Sequence, residues 1–330
     1  MKGVTFWLAA LSFWAWAGKT SYPPQKFLAK GVKKIEIIGV RGQVNLRGNS
    51  SKAYSLKVRH TRSRRMDDWS LQVFRRGSTM VFEVFNIAQR GKWRRMVRKD
   101  QWPEFDIELR GPAVPTVVSW REGDLKIENW AGDLESTQVS GTLKIDRMTG
   151  QLEAHAGRAS VEVTRSSGDF RIEGERGRMK LDDFNGALKL VWLNGDLNLS
   201  KIRGHGSIQG EEGRLQIVGC SGKWQLKWDR GQVRVNDCAG QLAGVGQAAN
   251  WSLVGKRAIE TEIRSRSGPV QIRWQGPGAR VFLTSDKGTI RGRPWSLDAK
   301  GRRISDSRLK GAPTGEIFVQ TETGAIVFNQ

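Results

Sequence analysis

Gly177-Arg178-Met179-Lys180-Leu181-Asp182-Asp183-Phe184-Asn185-Gly186-Ala187-Leu188-Lys189-Leu190-Val191-Trp192-Leu193-Asn194-Gly195 holds two copies of one nine-residue unit. A glycine opens each copy. Apolar residues follow two and four positions later (Met179 and Leu181, then Leu188 and Leu190), with mostly polar residues between them. Alternation of period two is a strand with one buried face. Stepping outward in nines, the glycine recurs from Gly123 to Gly240, and only Ala159 breaks the series. The position two past each glycine loses its apolar side chain once, at Gly206; the position four past loses it at Ser136 and Gly244.

A short fixed period marks a repeat architecture in which each unit buries its apolar face against its neighbours. A flat meander of such strands leaves a long apolar face bare, whereas a coil closes that face on itself. A second rhythm favours the coil. Seven residues past every other glycine stand Trp130, Met148, Ser166, Phe184, Ile202, Cys220 and Cys238, whereas the intervening units carry Val139, Gly157, Glu175, Leu193, Glu211 and Asp229. One corner of an eighteen-residue coil is therefore expected to be buried and the other largely open. The fold expected is all-β: a β-solenoid, or β-helix-like stack, of 18-residue two-strand coils. Irregular capping strands are expected at both ends, with the regular coils over 123–250 rising roughly 4.8 Å each.

Residues 1–17 read as a signal peptide, with Lys2 before an apolar core and Ala15-Trp16-Ala17 as the cleavage site. Residues 18–122 form a basic N-terminal section of strands and cap, and 251–330 an irregular C-terminal section and cap. The expected locality is exported, in the periplasm or at the cell surface, with no transmembrane segment in the mature chain. Export makes the two cysteines oxidisable. Cys220 and Cys238 are eighteen apart, so the coil places them one above the other, either as a disulfide or as two buried thiols.

The net charge of +22 is uneven. Residues 19–122 carry 23 Lys and Arg against 9 Asp and Glu, residues 123–247 carry 17 against 17, and residues 248–330 carry 14 against 7. The densest runs are Arg62, Arg64 and Arg65, then Arg90, Lys92, Trp93, Arg94, Arg95, Arg98 and Lys99. Arginine forks grip phosphate and tryptophan favours interfaces, so these ten residues are the candidate ligand-binding set. Lipopolysaccharide cores, anionic lipid headgroups and, unspecifically, nucleic acid suit them. A merely solvated basic loop is the bland alternative.

Gly42-x-Val44-x-Leu46, the strand Phe105-x-Ile107-x-Leu109-x-Gly111-Pro112 and the Gly-Asp openings at 123, 132, 168 and 195 resemble the bacterial putative-adhesin family over roughly residues 33–330. The resemblance implies an exported β-solenoid with an adhesin-like, non-enzymatic role and no cofactor. It supplies no catalytic residues, and the basic N-terminal section lies outside the family's pattern.

Other chemistries find little support. A calcium-binding roll needs paired glycines and regular aspartates, but here the glycines are single and the sixth position varies (Asn129, Gln138, Arg147). Glu135 and Glu153, eighteen apart on an outward column, suit a polysaccharide-cleaving pair by distance alone. Equally, they suit any solvated face. His60, His155 and His205 show no metal spacing and are expected at the surface. Trp192 and Trp228, at equivalent positions two coils apart, read either as exposed sugar-stacking platforms or as local packing. The function expected is binding or organising anionic envelope or surface polymers. A solenoid-flank polysaccharide hydrolase or lyase and a purely structural envelope spacer are the alternatives.

Overall fold

The computed structural model describes residues 11–12, 24–60, 69–86, 104–257, 259–275, 279–292 and 315–329, and every regular element among them is a β-strand. The chain divides into two compact units, Met1–Ala159 and Ser160–Gln330.

In the second unit, strand Ser221–Asn236 lies parallel to neighbours on both sides. Gly222 faces Gly204 and Gly240, and Val233 faces Leu215 and Trp251. Every one of these partners is 18 residues away in sequence. The preceding strand, Leu134–Val218, is continuous over 85 residues. Extended, it would run roughly 280 Å. Within this unit it instead folds back at the same interval: Lys180 Nζ donates to Glu162 Oε1 at 2.9 Å, and Ser200 Oγ to Asp182 Oδ1 at 2.6 Å. Leu181, Leu190, Leu199, Ile208 and Ile217 are all buried, as the period-two pattern requires. The glycine columns have two causes at once. Gly222 has φ of 111°, and a Cβ there would lie 1.8 Å from the carbonyl oxygen of Gly204. Both the backbone conformation and the close stacking reject a side chain.

The corners differ from each other. At one, Arg165, Asp183, Lys201, Gly219 and Asp237 adopt φ between 49° and 70°. The turn they make drives Ser166, Phe184, Ile202, Cys220 and Cys238 inward. The uncapped polar member is satisfied locally, Ser166 Oγ donating to the Thr164 carbonyl at 2.8 Å. At the other corner Glu175, Leu193 and Glu211 are exposed, as the pattern implies. The expectation that this corner is largely open is nevertheless corrected. The residues one place earlier, Gly174, Trp192, Gly210, Trp228 and Gly246, are buried and fill it.

From residue 259 the register slips to 19, with Ile259 facing Gly240 and Val270 facing Trp251. The order then departs from the sequence. Gly315–Thr321 pairs with Ile259–Ser265 on one side and Ala279–Ser285 on the other. Ile326–Asn329 likewise sits between Val270–Trp274 and Ile290–Gly292. The rung that is later in sequence is inserted between two earlier ones.

The first unit shows the same habit. Lys34–Gly48 lies parallel to Thr116–Ala131 on one side and to Thr79–Asn86 and Phe105–Gly111 on the other. The outer edge is covered by antiparallel strands: Trp69–Arg76 forms a hairpin with Thr79–Asn86, and Ala53–His60 pairs with Phe105–Gly111. Gln25–Leu28 adds to Ala53–His60. Of the seventeen residues read as a leader, only Leu11 and Ser12 are described, and they pair with Val73 and Gln72.

Candidate functional site

The ten residues singled out for ligand binding all lie outside the described residues, but the strands that carry them are described. In strand Lys34–Gly48 the step from Ile38 to Gly42 crosses a corner in four residues. The neighbouring rung, paired at Glu83 and Phe105, takes 22 residues over the same step. The run from Arg90 to Lys99 is therefore an insertion at that corner. The second run is anchored at the same place. His60 pairs with Phe105 and Trp69 pairs with Asn86, so connection 61–68 begins where connection 87–104 ends, and ends where it begins. Two segments separated in sequence share both their footings.

The footings themselves are electrically balanced. Arg41 Nη2 lies 3.0 Å from Glu104 Oε1, Arg110 chelates Glu108, and Arg47 Nε donates to Glu128 Oε2 at 2.7 Å. Asp106 faces Arg59 across the ladder. Burial raises its carboxyl above the ordinary range and Glu104 adds to this, against the opposing pull of the Gln43 backbone N–H and Arg59. Tyr54 lies flat over Gly111, where a Cβ would come 2.2 Å from its ring. Burial pushes its phenol up to about 12, so it stays neutral and serves as packing under the corner. The two connections carry part of the cationic excess of this section, nine Lys and Arg against Asp67, Asp68, Asp100 and Glu104.

A second basic surface, not anticipated from the pattern, lies in the second unit. A shallow depression of about 480 Å³ is lined by Arg171, Lys189, His205 and Lys223, with Asp169 and Ser207. Its origin is the small residues Ala187 and Gly206 on adjacent rungs. The only signal in the sequence was the missing apolar side chain at Gly206.

The remaining candidates take definite places. Trp192 and Trp228 are fully buried, which overturns the stacking-platform reading. Each indole instead covers a glycine on the preceding rung: a Cβ on Gly174 would lie 2.3 Å from Trp192 Cζ3, and one on Gly210 would lie 2.1 Å from Trp228 Cζ3. Glu135 and Glu153 are exposed, and Glu153 Oε1 lies 3.6 Å from His155 Nε2. His205 is exposed, and the side chain of His60 is outside the described residues. Cys220 and Cys238 form a disulfide with Cα atoms 4.4 Å apart. No group of three or more metal-binding side chains occurs among the described residues, and no helix there is long and apolar enough to cross a membrane.

No protein-family model matches the sequence, and no curated protein matches it. Among solved structures, a putative cell adhesion protein from Clostridium sporogenes is similar at 10% identity. The alignment covers 93% of this chain and 99% of that one, with a TM-score of 0.23.

Proposed function

We propose that this protein is an exported, non-enzymatic β-solenoid with an adhesin-like role, binding or organising anionic envelope or surface polymers through the basic corner of its first unit. The observation that carries the reading is the shared footing of connections 61–68 and 87–104. The sequence of these two connections holds Arg62, Arg64, Arg65, Arg90, Lys92, Arg94, Arg95, Arg98 and Lys99. Clustered guanidinium groups hold phosphate or sulfate in paired hydrogen bonds, and Trp93 supplies an amphipathic contact beside them. The parallel register at intervals of 18 supports the solenoid. The Cys220–Cys238 disulfide supports an oxidising compartment.

Binding to lipopolysaccharide, to anionic vesicles and to a neutral glycan at several salt concentrations tests this. Changing Arg94, Arg95, Arg98 and Lys99 together to Gln should weaken retention on both anionic ligands. The slope of log affinity against log salt should fall by about three to four. An unchanged slope overturns the electrostatic contact. Reducing-end release that disappears in Glu135→Gln and Glu153→Gln would replace the binding reading with a catalytic one.

A further inference from the structure

The inserted rung, Gly315–Thr321 with Ile326–Asn329, is held differently from every other rung of the second unit. Up to residue 274 a rung of this unit stacks on the one that precedes it in sequence, and the corner between them is short: two residues separate Asn236 from Ala239. Four residues separate Trp274 from Ala279, yet the strands of 259–274 and 279–292 do not pair with each other. The rung at 315–329 stands between them and is linked to Gly292 by 22 residues, 293–314. Extended, a segment of that length reaches roughly 70 Å.

Its hold on the slot is the β-ladder, the lining and a few turn contacts, among them the Arg266–Glu322 ion pair at 3.3 Å. Ile317, Val319, Ile326 and Phe328 are fully buried, alternating as in the rungs on either side. Thr321 Oγ1 shares a hydrogen bond with Ser285 Oγ at 2.9 Å and donates to the Gly324 carbonyl at 2.7 Å. Glu316 faces Glu260 on one side and Arg280 on the other. Apart from the Thr321–Gly324 bond, which lies within the segment, these contacts are made to strands that an identical molecule also possesses, in the same register. The order of contacts is therefore satisfied equally by the segment of a second copy, and exchange of one element between copies breaks and remakes the same interactions. Parallel strand addition supplies both backbone pairing and side-chain selection.

We propose that the slot between residues 259–274 and 279–292 is an interaction site for a second copy of this chain, filled in exchange by that copy's segment 315–329. The partner is chosen by alternation of apolar side chains and by ladder register. Polymer binding plays no part in it, so the two readings fail separately.

Isotope mixing tests the exchange. Nitrogen-15-labelled and unlabelled full-length proteins are combined, warmed below the unfolding transition, cooled and treated with a zero-length carbodiimide. Lys287 and Glu322 lie in adjacent turns, the Lys287 N–H donating to the Glu322 carbonyl at 2.7 Å, so a link between them reports the slot. Complete exchange makes about half of the Lys287–Glu322 links carry both isotopes, with a dimer in light scattering. Links of single isotope only, in a protein that stays monomeric, overturn the proposal. A second variant guards against slow release: Ile317→Asp/Ile326→Asp disables the segment as an occupant and leaves its slot intact. That variant should capture a labelled peptide of residues 315–329 at one per chain and should pair with the wild type but not with itself. Failure of the folded variant to capture the peptide also overturns it.

Discussion

The two corners of the second unit turn the same chain through a similar angle by opposite means. At the Cys220–Cys238 corner the backbone does the work. A left-handed residue points the next side chain inward, and every inward side chain but the disulfide pair differs in size from its neighbours. At the Trp192–Trp228 corner positive φ falls on glycine alone, at Gly195 (138°) and Gly231 (101°), and side-chain volume fills the turn. Gly174, Trp192, Gly210, Trp228 and Gly246 alternate small and large, so each indole spreads over the bare backbone of the preceding rung. One corner adds a second positive-φ residue to its glycine, while the other adds paired volumes. Close packing makes the second intolerant of change in either partner.

The largest break in this comparison should come from Trp228→Ala. It empties the space over Gly210 and should lower unfolding free energy by about 3–5 kcal/mol in a denaturant titration. Gly210→Val should also destabilise, because the added carbons collide with the indole. Combined with Trp228→Ala it should lose clearly less than the two single losses summed. Additive losses would show that the corner does not depend on paired volumes.

The disulfide comes next. It closes an 18-residue loop at the other corner. Cys220→Ser/Cys238→Ser should lose about 3 kcal/mol by the chain-entropy argument. A reductant should lower the melting temperature of the wild type to that of the double variant, and leave the variant where it was.

The smallest effect sharpens the backbone half of the comparison. Arg165 holds φ of 49°, and Gly219 occupies the equivalent place three turns on with φ of 70°. Arg165→Gly should raise stability by up to about 1 kcal/mol, since relief of the left-handed strain outweighs the entropy lost by glycine. Gly219→Arg should lose a similar amount. Equal and negligible shifts at both positions would mean that this corner is shaped by its buried residues alone.

Much of the strand grammar was legible because it is local. Period-two burial, the glycine column and the inward series Trp130, Met148, Ser166, Phe184, Ile202, Cys220 and Cys238 each follow from spacing along the chain. Trp192 and Trp228 stood between exposed platform and local packing for a reason that is equally physical. Seven places past the glycine stand Glu175, Leu193 and Glu211, which are exposed, and the adjacent tryptophans seemed to share that corner's exposure. The alternation with Gly174 and Gly210 was present in the sequence, but it becomes a signal only once residues 18 apart are known to stack. Ser136 teaches the same lesson: counted as a lapse in the apolar series, it is buried at a core position. For the candidate site, the cationic runs were visible in composition, while the shared footing of their connections was not. It depends on the antiparallel pairing of His60 with Phe105 and Trp69 with Asn86.

What the sequence by itself determined is therefore the unit: a nine-residue strand and turn whose glycines and alternating apolar residues admit few other conformations. Only the tertiary structure decided the order in which units stack, placing 34–48 and 315–329 inside their ends and leading two basic connections from one corner. The reason is that every rung presents nearly the same apolar lining and hydrogen-bonding edge. Local chemistry then specifies how a rung is built, while the choice of neighbour is settled by which long-range pairings bury the most surface once the chain is closed.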